Sequence, residues 1–233
     1  MTLAEKVLRA KIDYDEVYSA GVDAGKAQGG SSTFPDGFEW AKYTDTVVID
    51  DYDTFAEGET LTLNLPNVTD LSDALGGKTK KVKHLIVNCD KPIKTAGRFF
   101  YFSSSSRPII ERITLNVDFS QCTNMAQFFA NTFEYLKIVD GTPINFSSAT
   151  GIGQFCYLCR ALEYIRIEPN SIKGKADFSG SYSLDNDSVQ SIIDGLADLT
   201  GGTAQTLTLH ADVIAKLTDD QLTVIAQKNW NVA

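Results

Sequence analysis

Apolar and polar residues alternate in six short stretches of the chain: "ETLTLN" from Glu59, "KHLIVN" from Lys83, "ERITLN" from Glu111, "EYLKIV" from Glu134, "EYIRIE" from Glu163 and "QTLTLH" from Gln205. Alternation with a period of two marks a strand, because successive side chains leave opposite faces of the extended backbone. Aligning the stretches on their apolar pairs gives Leu61/Leu63, Leu85/Val87, Ile113/Leu115, Leu136/Ile138, Ile165/Ile167 and Leu207/Leu209. Successive pairs lie 24, 28, 23, 29 and 42 residues apart.

The segments between strands also repeat. "VDFSQCTNMAQFF", Val117 to Phe129, aligns without a gap on "INFSSATGIGQFC", Ile144 to Cys156, sharing Phe119/Phe146, Ser120/Ser147, Thr123/Thr150, Gln127/Gln154 and Phe128/Phe155. One strand per unit at spacings mostly in the twenties falls in the range of leucine-rich repeats. A lone unit would leave its apolar face in water, so the units are expected to stack with parallel strands and bury one aliphatic ladder. Phe99, Phe128 and Phe155 would fill the space behind it, at roughly 1.5–3 kcal/mol per fully buried side chain.

Two parts depart from this rhythm. Within the 42-residue spacing, "SLDNDSVQSIIDGLADLTGG" places Val189, Ile192, Ile193 and Leu196 at helical intervals before Gly201 and Gly202, which predicts a helix in that unit. "LTDDQLTVIAQKNWNVA" predicts a closing helix with Thr218 as N-cap and a last strand at Trp230, the cover that a terminal layer needs. At the other end Leu3, Val7, Ala10, Tyr14, Val17, Gly21 and Ala24 alternate in steps of four and three, a heptad pattern. That helix either packs on the repeats as their N-terminal cap or forms a coiled-coil stub that oligomerises the chain through Leu3, Val7, Ala10, Tyr14 and Val17. The expected division is residues 1–26 as helix, 27–44 as a glycine-rich linker and 45–233 as repeats with their cap.

Composition narrows the function. The 233 residues carry a formal net charge of −9, which would repel a phosphate backbone, so nucleic acid is not an expected partner. No apolar run reaches the ~20 residues that span a bilayer, so membrane insertion is not expected, and the charged opening "MTLAEKVLRAKIDYDEVY" has no secretory apolar core. Cys89, Cys122, Cys156 and Cys159 are read as small buried hydrophobes in a reduced compartment.

The "T-N-M-x-x-F-F" run of Thr123–Phe129, the "Y-D-x-V-Y-x-A-G" run of Tyr14–Gly21 and the ending "LADLTGGTAQTLTLHADVIAKLTDDQLTVIAQKNWNVA" resemble BspA-like leucine-rich repeat proteins. They resemble in particular those encoded by bacteriophages and prophages of gut Firmicutes, which are tail- or baseplate-associated structural proteins. The resemblance covers about residues 59–233. It implies a non-enzymatic interaction scaffold in a virion assembled in the bacterial cytoplasm; a cell-surface adhesin of the same type is the alternative.

Residues that could carry chemistry are sparse. His84 and His210 fall on separate strands, Cys156 and Cys159 have C-x-x-C spacing without a second pair, and the acidic runs Asp50–Asp53 and Asp185–Asp187 lack the remaining ligands of a calcium loop. No catalytic residue, metal or other cofactor is expected. A polysaccharide depolymerase would need clustered carboxylates that the outward columns lack.

What remains is the outward strand face, where Arg112, Tyr135, Lys137, Tyr164 and Arg166 are expected to form a basic, aromatic patch on adjacent layers, suited to a protein or glycan partner. The competing reading is a solvated face held by amide ladders, beginning with Asn64, Asn88 and Asn116. The fold expected is α/β: a leucine-rich repeat solenoid of short parallel strands with irregular or helical returns, a C-terminal helical cap and an N-terminal helix.

Overall fold

The computed structural model describes residues 60–74, 82–102, 109–132 and 134–233. The N-terminal helix and linker expected over residues 1–44, with the heptad positions Leu3, Val7, Ala10, Tyr14 and Val17, lie outside the described residues.

The described residues are α/β with two parallel sheets. Strands β1 (Thr60–Leu65), β2 (His84–Cys89), β3 (Arg112–Asn116), β4 (Ile138–Ile144) and β5 (Tyr164–Ile167) form a five-stranded sheet in chain order. Every neighbouring pair is parallel, so each connection returns the chain to the starting end of the sheet. Strands β6 (Ala176–Phe178), β7 (Gln205–Leu209) and β8 (Trp230–Val232) form a second, three-stranded sheet. Helices α1 (Asn186–Gly195), the single turn α2 (Ala211–Ile214) and α3 (Asp219–Gln227) lie between its strands in sequence.

Register follows the apolar alternation in the first layers. Leu61, Leu85 and Ile113 are opposite one another, as are Leu63, Val87 and Leu115. The fourth layer corrects the expected alignment: Val139, not Leu136, sits opposite Ile113 and Ile165. Leu136 instead precedes the strand. Lys83, Glu111, Lys137, Glu163 and Asp185 are joined in series, each backbone N–H donating to the carbonyl of the one before. The residues just before them, Val82, Ile110, Leu136, Leu162 and Leu184, are all buried. The fourth strand then runs longer than its neighbours, and its register shifts between Val139 and Ile144. Gly141 in this bulge has φ +95° and lies so close to β3 that a Cβ would be 2.4 Å from the Leu115 carbonyl oxygen.

The returns form a second ladder. The N–H groups of Leu71 and Asp73 donate to the carbonyls of Thr95 and Gly97, those of Ala96 and Arg98 to Asn124 and Ala126, and those of Met125 and Gln127 to Gly151 and Gly153. Asp73, Arg98, Gln127 and Gln154 recur at one place in this ladder with φ of 55–56°. Each such left-handed residue costs roughly 1–2 kcal/mol. The turns are held by a further repeat in which Asp118, Asn145 and Asp177 each accept a bond from the backbone N–H two residues on, and Asp70 and Asn124 do the same at the start of the return ladder. Asp177 belongs to "ADFSG", a third copy of the "DFS" and "NFS" of the earlier layers, and this copy forms β6.

Inside, the expected Phe99, Phe128 and Phe155 line up in one file, which Phe178 extends. Phe99–Phe128 centroids are 5.0 Å apart, Phe128–Phe155 5.4 Å and Phe155–Phe178 6.4 Å.

The predicted helix forms as α1, N-capped by Asp185, whose carboxylate accepts from Ser188 N–H. Its position explains the second correction. β7 does not continue the ladder of Ile165 and Ile167, because α1 takes that edge: Ser188 Oγ accepts the Ile165 N–H at 2.9 Å and Ser191 Oγ the Ile167 N–H at 2.9 Å. Leu207 therefore pairs with Ala176 of β6. The closing helix α3 carries the expected Thr218 cap as a full capping box with Gln221. Its last-turn neighbour Lys228 sends Nζ to the carbonyls of Ile193, Asp194 and Leu196, supplying the cation that the C-terminus of α1 lacks.

Candidate interaction face

The outward residues of the five-stranded sheet follow from this register. One column runs Thr60, His84, Arg112, Ile138, Tyr164; the next runs Thr62, Ile86, Thr114, Asp140; a third runs Asn64, Asn88, Asn116. The three-residue displacement of the fourth layer changes the charge of the face. Ile138 and Asp140 stand where Tyr135 and Lys137 were expected.

Asp140 organises the centre. Its Oδ1 accepts from Thr114 Oγ1 at 2.6 Å and its Oδ2 pairs with the Arg112 guanidinium. His84 Nε2 lies 3.0 Å from Thr114 Oγ1. With the Thr114 hydroxyl donating to the carboxylate, its oxygen is left to accept from the imidazole, which selects the tautomer with the proton on Nε2. Burial by itself would raise the Asp140 pKa. The bonds from Thr114 and Arg112, and the charges of Arg112 and His84, outweigh it and hold the carboxyl below its ordinary value. Burial and then the Arg112 charge lower the His84 pKa, against an opposing pull from Asp140.

Beside this network the amides form the expected ladder: Asn88 Nδ2 donates to Asn64 Oδ1 at 2.7 Å, and Asn116 Nδ2 to Asn88 Oδ1 at 2.7 Å.

The five expected patch residues separate into three settings. Arg112 is exposed but neutralised by Asp140. Lys137 sits one residue before β4 in a column of alternating charge, whose first members Lys83 and Glu111 pair at 3.5 Å, and Tyr135 lies in the turn preceding it. Tyr164 is half-buried on β5, with Arg166 exposed two residues on. The face is thus a cross-linked polar array with a basic, aromatic margin at β5. Asp140 is the residue that sequence reasoning left out; His84 was read as an outward strand residue with no chemical role, and the structure joins it to Asp140 through Thr114. The signal for Asp140 was present in the "DGTP" of Asp140–Pro143, a turn-forming run inside an assumed return.

Burial disfavours the thiolate form at three of the four cysteines. Burial raises the Cys89 pKa to about 12 and that of Cys122 to about 11, and it pushes Cys156 well up as well. Cys156 and Cys159 are both buried, and Cys159 Sγ points at the Phe129 carbonyl at 3.0 Å. Among the described residues no group of three or more His, Cys, Asp or Glu side chains converges as a metal site, and no helix is long and apolar enough to cross a membrane.

Compared with known proteins, the chain matches no family model, no curated protein and no solved structure.

Proposed function

We propose that the protein is a non-enzymatic interaction module of the leucine-rich repeat type, a short solenoid that displays its strand face to a protein or glycan partner in a phage virion or prophage product. The observation that carries this reading is the bonding of outward side chains from strand to strand: Asn64–Asn88–Asn116 on one line, His84–Thr114–Asp140–Arg112 on the next. Such side chains have already lost their rotamer freedom, so a partner that meets them loses less entropy on binding. Stacked strands with a laddered return and a helical closing layer support the solenoid reading.

Tyr164 and Arg166 supply an aromatic surface and an exposed guanidinium at the margin, the side-chain types that dominate hot spots. A glycan array probed with the wild-type chain and with a variant carrying alanine at Arg112, Tyr135, Lys137, Tyr164 and Arg166 tests the reading. Loss of the array signal in the folded variant is expected; identical binding profiles would remove the site. Release of reducing ends from an array-positive polysaccharide would replace display with catalysis.

A further inference from the structure

On the return side of the layers, apart from the strand face, a cleft of about 400 Å³ opens between Ala149–Gln154 of the fourth layer and Gly174, Lys175 and Asp177 of the fifth. It lies in the size range of ligand pockets. Its cause is a change of partner. In the first three layers a pair of N–H groups two residues apart, at Leu71/Asp73, Ala96/Arg98 and Met125/Gln127, donates to carbonyls two residues apart in the next layer. The equivalent fourth-layer pair is Ile152 and Gln154, whose N–H groups have no backbone acceptor among the described residues. The fifth layer supplies none: its β6 pairs with β7, and its chain reaches Asp185 only 7 residues after Phe178, against 17 from Phe146 to Glu163 in the fourth layer, so the accepting segment has no counterpart. Carbonyls of Gly151 and Gly153 accept from the third layer, so by alternation the N–H groups of Ile152 and Gln154 point the other way, toward the cleft.

We propose that this cleft receives an extended peptide segment, pairing main chain to main chain with Ile152 and Gln154 in parallel orientation, and preferring glycine or alanine at its second pairing residue.

Three precedents in the same molecule define that occupant. The accepting pairs are Thr95/Gly97, Asn124/Ala126 and Gly151/Gly153, so the second residue is small each time, and the bridges at Asp70–Thr95 and Asn124–Gly151 are parallel. A single carboxylate or phosphate fits less well, because donors two residues apart along an extended chain are roughly 6–7 Å apart, too far for two oxygens of one group. The floor leaves room for a backbone: a Cβ built on Gly153 or Gly174 meets nothing within 4 Å. Recognition by strand addition to an open edge takes its affinity from main-chain bonds and its selectivity from the side chains that must fit.

The test uses the full ¹⁵N-labelled chain and acetyl-Ser-Ala-Thr-Gly-Ile-Gly-Gln-amide, which reproduces the fourth layer's own accepting segment. At millimolar peptide the amide resonances of Ile152 and Gln154 shift and their hydrogen exchange slows. The same peptide with valine at its second glycine leaves both amides unmoved, as does acetate at equal concentration. Gly174→Leu, which places a side chain in open space without disturbing the core, abolishes the peptide-induced shifts while the rest of the spectrum is retained. Unmoved Ile152 and Gln154 amides in the wild-type chain overturn the proposal, as do shifts that persist in Gly174→Leu or that acetate alone reproduces. Equal shifts with the valine peptide overturn the small-residue preference.

Discussion

Replacing Gly141 by alanine tests the feature that sets the charge of the strand face. At Gly141 the longer fourth strand lies tight against β3: its φ is +95°, and a Cβ there would lie 2.4 Å from Leu115 O, 2.8 Å from Leu115 C and 2.9 Å from Leu115 N. These are backbone atoms of a central strand, so no side chain can swing aside to relieve the contact. The unfavourable φ costs about 1–2 kcal/mol and the forced shift about 1–3 kcal/mol, together about 2–5 kcal/mol. In a protein of this length that is a fall of about 4–20 °C in Tm.

Gly153→Ala is the internal control. A Cβ at that position meets nothing within 4 Å and its φ is not positive, so the change is expected to be neutral or to stabilise by up to about 1 kcal/mol through the unfolded chain. Urea unfolding followed by circular dichroism measures both. If Gly141→Ala unfolds at the same urea concentration as Gly153→Ala, the close approach of β4 to β3 is wrong, and with it the position of Asp140 on the face.

Other changes probe the edge and the acid response. Ser188→Ala is expected to leave the buried Ile165 N–H without an acceptor, costing about 1–3 kcal/mol. Hydrogen exchange should quicken at Ile165 before it does at Ile113 in the sheet centre, and uniform exchange would argue against α1 as the edge cover. Acid should weaken the protein in two windows. His84 is held below its unfolded value near 6.5, so the unfolded chain takes up the proton first and stability falls as pH drops from about 6.5 through the lowered folded value. Asp140 is held below its unfolded value near 3.9, so its contribution is present above about pH 4 and disappears as pH falls through the lower folded value. Urea midpoints across pH should lose the upper step in His84→Gln and the lower step in Asp140→Asn; a profile unchanged by either substitution would contradict the network.

Period-two alternation is a local property of the chain, so the strands at Leu61, Leu85, Ile113 and Ile165, the helix over Val189–Leu196 and the Thr218 cap could be read directly. So could the Phe99–Phe128–Phe155 file, because identical layers must each fill the same volume. Asp140 was missed for a related reason. "EYLKIV" and "EYIRIE" match in pattern over their first five positions and part only at Val139 and Glu168, yet Lys137 and Glu163 take the same place in the ladder while the strand after Lys137 bulges through Asp140–Pro143 before Ile144 meets Ile167.

The amino-acid order alone settled that parallel strands would stack over a shared apolar interior, since alternation and spacing are written into it and burying that apolar surface drives the stacking. Tertiary structure alone decided which outward residues become neighbours, where the strand pairing ends against Ser188 and Ser191, and where the return ladder runs out of acceptors beyond Gln154. Each of those depends on how one coil lies on the next. A few residues of slip in a bulge or turn leave the local pattern intact while exchanging a lysine for a carboxylate on the surface.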